Sequence, residues 1–486
     1  MKALLLAVLL AAPSSAQMTV PEPPVLDRTA PVPPAAARPF ALPPLAQSAL
    51  PNGLKLALIE SHRVALVSVR LVFPFAGAAH DPSGRSGLAG LTAALMSEGA
   101  GALDSRGFAE AVDDLGATVS ASADKDALVV TVFAAKENLD AALALAAAMV
   151  RSPALPQPAF ERLKGESLAG LEAEKGSPGK AAERRLEARV YGDHPYGASP
   201  DEASLTALAP ADARDFHALR VRPEGAILAA AGDIEMPALA ALAAKHFGSW
   251  TGAPTLVPLA DTPRLGAQAA PSGGLVIDLI DVPGAQQSAL RAGHRSISRD
   301  DPDYLAVQLM NFILGRAPIT NRLERNIREQ HSWAYGASSS VDALRRGGMF
   351  AVETDVQTDA TADALREVLG EMRRLQTDPV PDAELAASKR LLAGLFVLRQ
   401  QKVQDIAAQA AGIELQGLSP DTLQTYRDRV AALTAADVQA AAQKHLRPSE
   451  LHIVVAGDAA LVKGPLSAVA PVRLLNPPAA AAPAAR

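Results

Sequence analysis

Apolar residues recur along this chain at two spacings. "LKLALIES" (54–61), "ALVSVRLVFPFAG" (65–77) and "ALVVTVFAA" (127–135) alternate, or are rich in β-branched residues, and predict strands. "LDAALALAAAMVRS" (139–152) and "FERLKGESLAGLEAEKGSPGKAAERRLEARVYG" (160–192) carry apolar residues at helical spacing. The same order then returns. "GGLVIDLIDV" (273–282) and "GMFAVETDVQ" (348–357) predict strands, and 303–315, 361–377 and 382–417 predict helices. Strands in runs followed by helices in runs, twice over, predict an α+β fold. Each half should be a mainly antiparallel sheet with helices packed on one face.

The two halves are related in sequence. "LAPADARDFHALRVRPEGAILAAAGD" (208–233) and "LTAADVQAAAQKHLRPSELHIVVAGD" (433–458) match at a constant offset of 225, with eight of 26 positions identical. Each copy reads as a capped helix, an Arg-Pro break and an apolar strand ending in Ala-Gly-Asp. The chain is therefore read as two homologous tandem domains, at 47–250 and 275–465. Residues 251–274 form a linker, 17–46 a proline-rich segment and 466–486 a disordered tail.

Composition narrows the class. With 486 residues and 49% hydrophobic content, the chain can build more than one core. The net charge of −6, without a basic stripe, excludes nucleic acid as an expected partner. The chain has no cysteine, so disulfides, thiolate metal sites and a lipoprotein anchor are excluded. Lys2, the apolar run "ALLLAVLLAA" and "SSAQ" predict a secretory signal at 1–16, a periplasmic location and no membrane span in the mature protein.

One stretch poses a chemical question. "SGLAGLTAALMSEGAG" (86–101) reads as a helix, yet it carries glycine at 87 and 90 and no ionisable residue before Glu98. Its surroundings "NGLKLALIES…VSVRLVFPFAGAAHDPSGRSGLAGL", the later "YGDHPYG", and "ILGRAPITNRLERNIREQHSWAYGASSS" (313–340) resemble the pitrilysin/insulinase family of zinc peptidases, the inverzincins, in its short bacterial form. The resemblance spans residues 47–465. In that family the helix carries His-x-x-Glu-His, two zinc ligands and a general base, and a later glutamate completes the metal site. The matching positions here are Gly90, Ala93 and Ala94, with the third ligand falling near Gly170. None can coordinate a metal, so the resemblance implies that this chain binds none. His80 reads as a solvated loop histidine, His194 as part of a structural turn, and Glu166, Glu172 and Glu174 as a solvated helix face.

The second half retains family-like residues. Family members have Ser-Arg-Leu followed by Arg-Glu and a Tyr seven residues after that Arg. This chain has Asn321-Arg322-Leu323, Arg328-Glu329 and Tyr335, and Gly315-Arg316 where the family often has two glycines. The residue types alone read as an Arg favouring a helix C-terminus and a Tyr half in a core. The resemblance implies instead that Arg328 and Tyr335 bind substrate and stabilise the oxyanion during peptide hydrolysis. It further implies a zinc-less subunit paired with a His-x-x-Glu-His-bearing homologue as a heterodimer, with zinc in that partner and an unfolded peptide as substrate. The alternative is a catalytically silent structural, assembly or peptide-binding protein on the same fold.

Overall fold

The alternating stretches pair into two six-stranded sheets whose connectivity repeats. The structure, a computed structural model, describes residues 40–251, 261–266 and 274–475. The expected signal segment, most of the proline-rich segment and the end of the expected tail lie outside the described residues. The first half contributes strands β1 (Ala46–Ala49), β2 (Lys55–Glu60), β3 (Leu66–Phe73), the two-residue pair β4 (Gly99–Ala100) and β5 (Leu103–Asp104), β6 (Thr118–Ala123), β7 (Leu128–Ala135) and β8 (Ile227–Gly232). The second contributes β9 (Val276–Asp281), β10 (Gln287–Ser296), β11 (Ala334–Leu344), β12 (Gly347–Gln357), β13 (His452–Gly457) and β14 (Val472–Leu475). The sheet orders are β1-β2-β8-β3-β7-β6 and β14-β9-β13-β10-β12-β11.

The two orders superpose position by position, and the pairing directions agree. β2 runs parallel to β8, as β9 does to β13, and the pairs that follow in each sheet are antiparallel. The 225-residue offset read from sequence maps β8 onto β13 and helix Pro210–Arg220 onto Ala435–His445, end to end. Both helices start with the same device: the Asp212 and Asp437 carboxylates accept the backbone N–H groups of Ala209 and Thr434 at 2.8 Å. Only the outermost strand differs. β1 joins β2 antiparallel, whereas β14 joins β9 parallel.

Helices of each half cover one face of its own sheet. In the first half these include α1 (Leu88–Met96), α2 (Ser105–Asp114), α3 (Leu139–Arg151) and α4 (Gln157–Lys175), packed on Leu56, Leu58, Val69 and Leu71. The long helix expected at 160–192 breaks at Gly176, and Ser177 caps a new one, α5 (Pro178–Tyr191). α5 leaves its own half. Its Ala182, Leu186 and Val190 pack on Ile280, Ala289, Val454 and Ala456 of the second sheet. The second half returns the contact. After α6 (Glu202–Ala207), α7 (Pro210–Arg220), α8 (Met236–Phe247), α9 (Tyr304–Asn311) and α10 (Thr361–Thr377), the expected 382–417 helix splits into α11 (Asp382–Arg399) and α12 (Val403–Gln416). α12 lies on β8, β3 and β2 of the first sheet. α13 (Thr422–Ala432), α14 (Ala435–His445) and α15 (Ala459–Ser467) complete the α-helices of the described residues. With both faces covered, every residue of β8 is buried, which explains its unbroken apolar sequence.

One expectation is corrected. β14 lies within the stretch read as a disordered tail: its Arg473 pairs with the buried Asp278 of β9 and anchors the strand. The described part of the linker is pinned between the halves. Thr262 meets His80, the Pro263 carbonyl accepts from His194, and Asp261 pairs with Arg345 and Arg346.

Candidate functional site

The helix that poses the chemical question is held from outside. Asp81 accepts the backbone N–H groups of Gly87 and Ala89, each at 2.8 Å, and so caps α1. Gly87 sits at φ 99°, and a Cβ there would meet Leu205 at 2.8 Å, so glycine is required. Gly90 has no such reason: it is exposed, and a Cβ would meet nothing within 4 Å. Ala93 is buried in the first core and Ala94 half-buried. α4 packs against α1 and carries Gly170, also exposed with open space around it. The two helices that would frame a metal site thus meet, but the four positions offer no ligand atom. A zinc ion does not fit this donor set.

Nearby titratable groups are occupied otherwise. His80 is half-buried rather than solvated. Burial, with Arg220 nearby, lowers its pKa to about 4, so it is neutral at physiological pH. Glu166, Glu172 and Glu174 pair with Arg162, Lys175 and Arg184 at 2.6–2.9 Å, a charged helix face as read. His194 donates to or accepts from backbone on both sides of its ring, and the adjoining Tyr191 and Tyr196 are buried edge to face at 5.9 Å. Tyr196 donates to Asp126 and accepts the Arg346 backbone N–H, so "YGDHPYG" joins the two halves. Among the described residues one acidic cluster could hold a cation, Asp301, Asp303 and His445 in the second half. There the Lys444 ammonium already sits 2.6 Å from Asp303.

The second-half pair is brought together. Arg328 lies in a π-helical turn, Glu324–Gln330, and Tyr335 is the second residue of β11, an edge strand of the second sheet. The guanidinium carbon stands 5.3 Å from the Tyr335 ring centroid, within cation–π range. Tyr335 is not half-core: it is 88% exposed. A bulge between Ala334 and Ala337 lifts it out of the ladder. The arrangement presents two donors, a planar fork and a phenol, to whatever faces this edge, with no base among them.

Sequence reading missed the group that organises this pair. Glu324, four residues before Arg328, accepts from the Arg328 guanidinium at 2.6 Å and from the Ala337 backbone N–H in the bulge at 3.2 Å. The acid–base spacing of four was the available signal. The turn is also tied to its neighbours. Arg322 forms a bidentate pair with Glu384, and Asn326 donates to Glu367 and Glu371. Gly315 abuts Ser339 of β11, where a Cβ would meet the backbone N at 2.4 Å, while Arg316 points to solvent. The departure from two glycines leaves that close approach intact.

Known proteins share this architecture. The insulinase (peptidase family M16) model matches residues 55–200, and the peptidase M16 inactive domain model matches residues 207–392. An uncharacterized zinc protease of Mycobacterium bovis is 25% identical over 295 residues, 60% of this chain and 66% of the relative. The match thus spans just under two thirds of that protein's length. One from Mycobacterium leprae is 23% identical over 359 residues, 73% of this chain and 78% of the relative. Among solved structures, a peptidase M16 inactive domain from Pseudomonas fluorescens superposes with a TM-score of 0.78 at 29% identity, covering 85% of this chain and 98% of that one. A protease from Helicobacter pylori (TM-score 0.78, 19% identity, 85% and 100% covered) and the periplasmic protease PqqL from Escherichia coli (0.74, 18%, 87% and 46%) share the fold. The repeated sheets, the framed but ligand-free α1 and the two family models together make this chain a member of the pitrilysin/insulinase peptidase family, M16.

Proposed function

We propose that this chain is the non-metal-binding subunit of a periplasmic M16 peptidase, paired with a homologous subunit that carries His-x-x-Glu-His. The observation that carries the reading is an asymmetry. Gly90, Ala93, Ala94 and Gly170 present no ligand, while Arg328 on its helical turn and Tyr335 on an exposed bulge stand side by side, with Glu324 bonded to the Arg328 guanidinium and to the bulge backbone. A scaffold has no use for an ordered, solvent-facing Arg–Tyr pair. In the assembled enzyme, Arg328 and Tyr335 would donate to the carbonyl oxygen of an unfolded peptide and to the oxyanion that develops on it. The open edge strands offer backbone pairing to an extended peptide. The expected leader at 1–16 and the periplasmic structural neighbour support the location.

The test has two stages. The isolated protein, stripped of metal and reloaded, should retain no stoichiometric zinc by elemental analysis and cleave no peptide. Recovered from its native compartment, it should come with a chain of similar size bearing His-x-x-Glu-His, and the pair should cleave peptides. One tightly held zinc per isolated chain, with chelator-sensitive cleavage, overturns the reading.

A further inference from the structure

A cavity of about 590 Å³ lies in the second half, where α11, α12 and α13 meet α9. Its size is that of a small-molecule site, and it shares no lining residue with the Arg328–Tyr335 segment. One wall is aromatic: the Phe396 and Tyr426 rings stack at 4.5 Å and 23°. A second is cationic. Arg299 stacks on the Tyr304 ring at 3.7 Å, and Arg399 ends α11. Neither guanidinium has a carboxylate partner among the described residues. Both act on the Tyr426 hydroxyl, whose pKa burial nonetheless pushes up to about 12, so it stays a neutral donor. The lining holds one acid, Asp405, in the first turn of α12, where a negative charge complements the helix N-terminus.

A glycine makes room for this space. Gly412 stands in the middle of α12 and lines the cavity, and a Cβ there would meet nothing within 4 Å. Packing does not demand glycine, and helix propensity argues against it. A larger side chain would project into the cavity. We propose that this cavity binds a small carboxylate with an apolar, ring-sized body, its anionic group held by Arg299 and Arg399 and its body on the Phe396–Tyr426 stack. The charge balance of two guanidiniums against one carboxylate, which lies in the first turn of a helix, selects an anion, and the stacked rings select a flat apolar body.

The experiment is saturation-transfer NMR and calorimetric titration on the whole chain with N-acetyl-L-phenylalanine. N-acetyl-L-phenylalaninamide supplies the same body without charge, and L-phenylalaninamide a cation. The acid should bind, and the neutral amide should bind about tenfold more weakly or worse, the loss expected for one charge-assisted contact. Gly412→Leu should abolish binding while the melting temperature holds or rises. Arg399→Gln, an exposed change that leaves the fold alone, should weaken the acid and not the amide. Equal binding of acid and neutral amide, preference for the cation, acid binding that survives either substitution, or no binding of the acid at millimolar concentration overturns the proposal.

Discussion

At Tyr335 the functional reading rests on one hydroxyl. Tyr335→Phe removes it with almost no change in volume, so assembly and zinc content of the complex should not change while turnover falls by roughly two to three orders of magnitude. The loss should sit in kcat if the bond tightens in the transition state. Arg328→Ala should act alike, and Arg328→Lys should rescue poorly because a point charge does not reproduce the planar fork. Glu324→Gln keeps an acceptor for the Ala337 N–H but loses the charge that orients Arg328, so a smaller fall is expected. Wild-type rates in Tyr335→Phe would instead favour a scaffold. The identity of the pair was legible through the motif, but its exposure was not, because a Tyr at the start of a strand gives no sign of the bulge that turns it outward. A second residue carries a stability effect. His294 is fully buried in β10, stacked on Phe350 at 4.9 Å, with Nδ1 2.8 Å from the Arg295 carbonyl and Nε2 accepting the Arg447 N–H. A donor on one side and an acceptor on the other fix the neutral ring, and burial lowers its pKa to about 4. Since the unfolded chain binds this proton first, the stabilisation is full above about pH 6.5 and fades as pH falls toward 4, by roughly 3 kcal/mol. Urea unfolding across that window should show a shallower pH dependence in His294→Gln than in wild type.

The element that lost its chemistry, α1, keeps its packing. Gly90 is exposed with open space around it, so Gly90→Ala should stabilise by about 0.5–1 kcal/mol in thermal or urea unfolding. A loss of stability would mean that the glycine has a conformational role. Writing the motif back as Gly90→His, Ala93→Glu and Ala94→His should not restore zinc-dependent hydrolysis in the isolated chain. Gly170 still offers no third ligand, and of the three sites only Ala93 is tightly enclosed, where the larger side chain should cost roughly 1–3 kcal/mol. Hydrolysis by the triple variant alone would show a surviving site elsewhere. Other elements differ in how openly the sequence declares them. The strands and helices at 208–233 and 433–458 were legible because each keeps its cap and its Arg-Pro break. β10 was not, since "QSALRAGHRS" places Arg291 and His294 in a buried central strand. Those polar residues find partners there, Arg291 through Nη1 with Asp355 and two carbonyls and His294 with its two backbone partners. The breaks between α4 and α5 and between α11 and α12 were likewise hidden inside continuous helical periodicity.

At the scale of the molecule, duplication was visible in sequence but the exchange of helices was not. Periodicity shows that α5 and α12 each have an apolar stripe, but not which sheet the stripe meets. The exchange makes the halves interdependent. α5 supplies one face of the second core and α12 one face of the first, and Arg185 of α5 pairs with Asp278 of β9 at 2.8 Å. A chain of this length would ordinarily unfold domain by domain. Here neither half can lose its own sheet without uncovering the helix that the other half lends it, so a single cooperative transition is expected in calorimetry. Ile406 tests this. It is buried on α12, the second-half helix that lies on the first sheet. Ile406→Ala should cost roughly 2–5 kcal/mol. If the exchange couples the halves, that cost should appear in both. Amides of β10 and β13 in the second sheet should lose hydrogen-exchange protection along with those of β3 and β8, and the calorimetric peak should move without splitting. Two resolved transitions, or exchange that speeds up in the first sheet alone, would show that the halves fold separately and that the lent helices are held only loosely.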